Sequence, residues 1–243
     1  SASFLSIDIK YSVDEMCEIT AELLRRSGFK EDVYVRPLAY KSSATLVNLN
    51  LAKLDDELAI MAFPIGFYLD PSRPINCVTS SWQKPDDVAL PSGTKLAGMY
   101  TGNIIAKTEA LRNQFDEAIM LNSRGLVSEG TGENLFMALD GVLYTPPASD
   151  NCLVGITRDS VATIAREVFD LEVREASIPR SQLYAADEVF LCGTAAHVTP
   201  VGSLDRRPIA DGKRGPITRR IQELYFDIIR GVDEKYAEWR TRI

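Results

Sequence analysis

The sequence predicts an α+β protein. Strand-like and helix-like segments alternate irregularly rather than in a strict strand–helix–strand rhythm, and hairpin signals interrupt them. A proline-rich break also divides the chain.

Ser12 opens the first helix, because a serine and a glutamate three residues on, Glu15, can satisfy each other's free amides. Met16, Thr20, Leu23 and Leu24 follow at helical spacing, and Gly28 supplies the stop. Residues 32–40 alternate as a strand does, 46–51 do so in part, and 58–69 form a fuller apolar run, so strands follow this helix. Asp70, Pro71, Ser72, Arg73 and Pro74 cannot continue a strand or a helix. They are read as a linker (70–74) between a small domain, 1–69, and a larger one, 75–243. Beyond the linker, 75–82 reads as a strand and 100–111 as a helix, followed by short strands at 117–121, 125–128 and 134–139. Asp140-Gly141 is a two-residue hairpin turn into residues 142–144. Gly155-Ile156-Thr157 opens a helix to about residue 169, with Val161, Ile164, Ala165 and Val168 on one face. Strands at 171–176 and 188–192 flank a short helix around 179–184. Pro216 suits the first position of a final helix ending near residue 229.

With 45% apolar and 25% charged residues the composition is that of an ordinary globular protein. A net charge of -7 argues against nucleic acid or an anionic membrane as the main partner. The uncharged run 58–69 is only 12 residues long and contains Pro64 and Gly66, too short to span a bilayer. Residues 1–12 contain Asp8 and Lys10 and have no signal-peptide core. Cys17, Cys77, Cys152 and Cys192 are scattered and, with the single His197, form no metal-ligand spacing, so no metal is expected. This cysteine usage suits a reducing, intracellular compartment.

Three loops carry candidate chemistry. Ser128-Glu129-Gly130-Thr131-Gly132-Glu133-Asn134 sets two glycines between carboxylates, which allows a ligand close to the backbone; a plain surface turn reads equally well. Gly155-Ile156-Thr157-Arg158 starts a helix, where free amides favour a phosphate, although Thr157 or a neighbour could simply cap it. Gly193-Thr194-Ala195-Ala196 puts small residues directly after an apolar strand, leaving room for a ligand or merely making a turn.

Taken in order, these loops and their flanks resemble the fold-type IV aminotransferases, specifically the branched-chain amino acid aminotransferases. The matching stretches are Lys95-Leu96-Ala97-Gly98-Met99-Tyr100, residues 127–136, Gly155-Ile156-Thr157-Arg158, residues 186–190 and residues 193–201. Upstream, Tyr34-Val35-Arg36-Pro37-Leu38 and Ser80-Ser81-Trp82 match as well. The resemblance implies a small α/β domain, incomplete here, and a larger pseudo-barrel domain that binds pyridoxal 5'-phosphate.

It also implies roles. Lys95 would hold the cofactor through its amine and then shuttle a proton between the substrate Cα and the cofactor. That amine must be partly neutral, as a desolvated site beside a cationic cofactor makes it. Lys107 is the competing lysine but lies within a helical run away from the family position. Glu129 would pair with the pyridine nitrogen, keeping the ring an electron sink. Tyr100 would hydrogen-bond the phenolic oxygen. Ile156, Thr157 and Thr194 would hold the phosphate, and the amides of Thr194 and Ala195 the substrate α-carboxylate. Arg36 would take the side-chain carboxylate of glutamate, a task that suits a bidentate guanidinium, and Tyr34 would line the substrate pocket.

Two departures stand out. Ile65 precedes Gly66 where several family members carry tryptophan. The family also has a leading segment, with further small-domain strands and a phosphate-binding arginine, which would end just before Ser1; disorder or cleavage is the expected reason for its absence. The implied activity is transfer of the amino group of leucine, isoleucine or valine to 2-oxoglutarate by a cytoplasmic homodimer. D-amino acid aminotransferase, aminodeoxychorismate lyase and a non-catalytic remnant kept for dimerisation are the alternatives.

Overall fold

A computed structural model describes residues 1–43 and 48–243. They divide into two compact units, Ser1–Gly66 with Thr241–Ile243, and Phe67–Arg240.

In the smaller unit, helix α1 (Val13–Ser27) begins at the expected box. Glu15 N donates to Ser12 Oγ at 3.2 Å, and Ser12 N donates back to Glu15 Oε2 at 2.7 Å. Gly28 ends the helix in the left-handed conformation that a Cβ would disfavour. Strands β1 (Val33–Ser42) and β2 (Asp55–Pro64) pair antiparallel, Val33 opposite Pro64 and Ser42 opposite Asp55. The strand expected at 46–51 falls partly on residues outside the described ones. Its described part is irregular and leads into a 3-10 turn, Leu51–Lys53, that the Asn50 side chain caps.

The larger unit is built on one mixed sheet of nine strands. In chain order its elements are β3 (Ile75–Gln83), α2 (Tyr100–Arg112), β4 (Glu117–Leu121), β5 (Val127–Gly130), β6 (Asn134–Leu139), β7 (Val142–Thr145), α3 (Ile156–Glu167) and β8 (Val173–Glu175). These are followed by α4 (Arg180–Leu183), β9 (Glu188–Gly193), β10 (His197–Leu204), β11 (Arg207–Pro208) and α5 (Pro216–Arg230). The sheet order is β5-β4-β3-β10-β9-β6-β7-β8, with β11 on β10. β3–β4 and β7–β8 are parallel, and each pair is joined by a crossover that contains a helix, α2 and α3 respectively. β6–β7 turns at Asp140 and Gly141, both at positive φ, as that dipeptide predicts. The sheet curls until its edges meet: Val127 N of β5 donates to Ile178 O at 2.9 Å, and Leu126 bridges Pro179, just beyond β8. This closure makes the pseudo-barrel.

One apolar cluster, including Ile75, Ile119, Leu135, Leu191 and Ile178, fills the inside of the curl. On the outer face α3 and α5 dock Val161, Ile164, Ile221 and Ile228 against Phe136 and Phe190, whose rings stack at 5.1 Å. Helix α2 docks through small residues, Ala106 and Ala110, against Ala118 and Met120 of β4. No helix among the described residues is long and apolar enough to cross a membrane.

Strand β10 was not expected, because Pro200 and Gly202 interrupt its apolar run. The sheet accommodates them with a register shift between Val201 and Ser203, in the pairing of β10 with β3. At Gly202 an added Cβ would lie 2.8 Å from both Gly212 O and Pro74 Cβ. Gly202→Ala is therefore expected to destabilise the larger unit by about 1–3 kcal/mol through overpacking. Urea unfolding checks this; an unchanged midpoint would show that the backbone yields freely.

Candidate active site

An open cavity of about 230 Å³ lies in the larger unit, lined by Lys84 at the end of β3 and from four further places in the chain. The first is the loop before α2. Thr94 N and Thr94 Oγ1 both donate to Pro91 O, at 2.9 and 2.6 Å, and this turn presents Lys95. Lys95 Nζ donates to Tyr100 Oη at 2.9 Å and stands 5.4 Å from the centre of its ring. The amine was expected to be desolvated; in the chain alone Lys95 is exposed, because it sits on an irregular loop at an open cavity rather than on the sheet.

The second place is the β5–β6 loop. Gly130 N donates to Glu133 O at 2.7 Å, closing it tightly. Asn103, one turn after Tyr100 on α2, donates from Nδ2 to Thr131 O at 2.7 Å. Thr131 Oγ1 donates to the buried Glu117 at 2.7 Å, so the loop is tied to both α2 and β4. On β5, Glu129 is only 6% exposed. Its Oε1 lies 2.6 Å from Lys84 Nζ, and its Oε2 accepts from Leu153 N at 2.9 Å. Burial pushes this carboxyl above the ordinary carboxylate range, while Lys84 and the Leu153 amide pull it back.

The third place is the start of α3. Asn134 Nδ2 donates to Leu153 O at 2.6 Å, and Gly155 N donates to Asn134 Oδ1 at 3.2 Å, which fixes the approach to the helix. Gly155 is the N-cap and has no side chain to offer, so no side-chain cap occupies the first amides of α3. The self-capping alternative at Thr157 is not what forms. Arg158, next along, turns away into the core, donating to Pro146 O at 3.1 Å and pairing with Glu175. The fourth place is the β9–β10 turn, where Cys192, Gly193 and Thr194 reach the cavity.

The cavity thus brings together Lys95, Tyr100, Glu129, Ile156, Thr157 and Thr194. Ala195 shares the turn of Thr194 without lining the cavity. Tyr34 and Arg36 lie on one face of β1 in the smaller unit, Tyr34 packed 5.7 Å from Phe63 and Arg36 opposite Met61. Lys107, the rival lysine, is committed elsewhere: its Nζ lies 2.6 Å from Glu117 Oε2, donates to Asp116 O at 2.7 Å and faces the Tyr68 ring. Burial pulls its pKa down, but the Glu117 carboxylate, together with Tyr68 and Glu133, holds the ammonium above its ordinary range.

Sequence reasoning missed Lys84. The matching stretch Ser80-Ser81-Trp82 ends two residues before it, and a lysine ending a strand before Pro85 reads as a solvated side chain. Asn103 was also missed, and Asn134 was named only as the last residue of its loop, without the role of fixing it. A signal existed only for Asn134, which closes the two-glycine motif.

The arrangement fits a phosphorylated pyridine aldehyde. Lys95 offers an amine, Glu129 a buried acid for a ring nitrogen, and α3 an uncapped helix start for a phosphate.

Comparisons agree with this geometry. The profile of the family described as amino-transferase class IV matches residues 1–204. The chain is 46% identical, over its whole length and 78% of the relative's, to a probable branched-chain-amino-acid aminotransferase of Aquifex aeolicus. A branched-chain aminotransferase structure from Thermoproteus uzoniensis, solved with norvaline, superimposes with a TM-score of 0.93 at 42% identity, covering 99% of this chain and 79% of that one. The T.th. branched-chain amino acid aminotransferase complexed with N-(5'-phosphopyridoxyl)-L-glutamate gives 0.92 at 39%, with the same coverage. The chain belongs to the class IV aminotransferases.

Proposed function

We propose that the protein moves the amino group of leucine, isoleucine or valine to 2-oxoglutarate, giving the branched 2-oxo acid and L-glutamate, with pyridoxal 5'-phosphate as cofactor. The observation that carries this reading is the convergence of Lys95, Tyr100 and Glu129 with the uncapped start of α3 on one cavity. The names of the relatives, and the phosphopyridoxyl-glutamate and norvaline complexes among them, support the cofactor and the two kinds of amino donor.

When bound, the cofactor supplies the carbonyl carbon that exchanges the amino group and a ring that spreads the electron pair left on the substrate Cα. Lys95 holds the cofactor and its Nζ moves the Cα proton. The Tyr100 hydroxyl keeps that amine oriented through their 2.9 Å hydrogen bond and meets the phenolic oxygen. Glu129 faces the ring nitrogen. The amides of Ile156 and Thr157, aided by the α3 dipole, hold the phosphate, with the Thr194 hydroxyl as a further donor. The Thr194 and Ala195 amides receive the substrate α-carboxylate, Arg36 takes the side-chain carboxylate of glutamate, and Tyr34 lines the substrate pocket. In this reading residues 1–69 belong to the small domain, 70–74 are the linker, and 75–243 form the cofactor domain of a cytoplasmic homodimer.

The test is a substrate panel on the purified protein loaded with pyridoxal phosphate. L-Leucine with 2-oxoglutarate is expected to yield glutamate. D-Alanine as the only donor, or pyruvate released from aminodeoxychorismate, would reassign the activity within the fold. No turnover of any of them would sink the enzymatic reading.

A further inference from the structure

Lys84 follows the last residue of β3 and is 5% exposed, an unusual place for a lysine. Its amide donates to Leu121 O at 2.9 Å, carrying the β3–β4 pairing one step further before Pro85 stops it. Asn151 Nδ2 donates to Pro85 O at 2.8 Å and anchors the same segment. A buried ammonium costs several kcal/mol unless it is paired. Its salt-bridge partner is Glu129, with Nζ 2.6 Å from Oε1. The other oxygen of that carboxylate is taken by Leu153 N, so two fixed donors set the plane of the group.

A control for this arrangement lies four residues along the same loop. Glu133 is 3% exposed, and no ion pair among the described residues includes it. Its Oε2 accepts from Gly132 N at 3.2 Å, whereas Oε1 is buried without a hydrogen-bond partner. Burial, reinforced by the Glu117 carboxylate, pushes Glu133 well above the ordinary carboxylate range. The loop therefore holds two buried carboxyls, and the one next to an ammonium is Glu129. Lys95 adds a weaker attraction on Glu129, and Glu133 and the Cys152 thiol are its other titratable neighbours.

We propose that Lys84 is a positioning residue for transamination: it orients the Glu129 carboxylate and balances its charge, so that Glu129 presents an anion to the pyridine nitrogen. The inference rests on the reading of Glu129 given above. It assigns Lys84 no contact with substrate.

Four variants test it: K84M, K84R, E129Q and K84M/E129Q. Two readouts are followed, the dissociation constant of pyridoxal phosphate from the apoprotein and the pH midpoint of the visible absorption band of the bound cofactor. K84M is expected to weaken cofactor binding about 10-fold, the size of a coupled pair, and to move the pH midpoint. K84R restores both, and K84M adds nothing further in the E129Q background. Should K84M fail to fold, K84Q, which keeps a donor but no charge, takes its place with the same expectation. If E129Q changes both readouts and K84M neither, the role of Lys84 is overturned while that of Glu129 stands. A K84M effect that persists undiminished beside E129Q marks a packing role and equally overturns the proposal. If E129Q itself changes nothing, the reading of Glu129 beneath it fails.

Discussion

Lys95→Ala is expected to abolish leucine transamination, lowering kcat by at least about 10⁴-fold, while the melting temperature of the apoprotein stays close to that of the unaltered protein. The two halves of this expectation have separate causes. The amine has two tasks, attachment of the cofactor and movement of the Cα proton, and acid–base catalysis alone contributes about 10²–10⁴-fold. Among the described residues, Lys84 is the one other lysine that lines the cavity. Lys107 is held by Glu117 and the Asp116 carbonyl, and Lys84 is buried against Glu129. Stability is spared because Lys95 is exposed on a loop whose shape comes from Thr94 and Pro91, and surface changes of this kind usually stay within about 0.5 kcal/mol. Steady-state kinetics with L-leucine and 2-oxoglutarate, beside thermal unfolding followed by circular dichroism, measure both. Activity within about 10-fold of the unaltered protein would remove Lys95 from the mechanism.

What the sequence revealed, and what it hid, follows the range of the interactions involved. Signals confined to a few residues were legible. Ser12 with Glu15 marked the start of α1, Asp140-Gly141 the β6–β7 turn, and Pro216 the start of α5. Strand β10 was hidden because Pro200 and Gly202 weaken a local strand signal; what permits them is a register shift against β3, which lies far earlier in the chain. The site behaves in the same way. Lys95, Tyr100 and Glu129 could be named because their motifs recur in one order in a known family, not because periodicity pointed to them. Lys84 could not be found, since its meaning depends on β5 lying next to β4 and β4 next to β3. Only that order brings a residue at the end of β3 beside Glu129 on β5. Tyr34 and Arg36 show the converse limit: the motif names them, but their own unit reveals only a strand face.

The largest effect on stability is expected at a residue that no motif singled out for chemistry. Glu188 opens β9 and is 6% exposed, yet it has no cation partner among the described residues. Its carboxylate instead accepts from Ile217 N at 2.9 Å, Thr218 N at 2.8 Å and Thr218 Oγ1 at 2.6 Å. These are the first free amides of α5, because Pro216 has no N–H and the N-cap, Gly215, has no side chain. Glu188 is thus a cap supplied from 29 or 30 residues upstream of the amides it meets, and the helix dipole favours its negative charge. Gly215 is required by the same contact, since a Cβ there would collide with Glu188 Cδ. Hydrogen bonds to a charged group contribute about 1.5–3 kcal/mol each and do not simply add, so Glu188→Ala is expected to cost about 3–5 kcal/mol. Gln, which keeps an acceptor oxygen but not the charge, is expected to cost less than Ala. The loss should spread to the packing of α5, whose Ile221, Tyr225 and Ile228 share a core with Phe136 and Phe190. Urea unfolding of the two variants, with hydrogen exchange at the α5 amides, measures both the cost and its location. A cost below about 1 kcal/mol for Glu188→Ala would mean that water caps α5 as well as this carboxylate does.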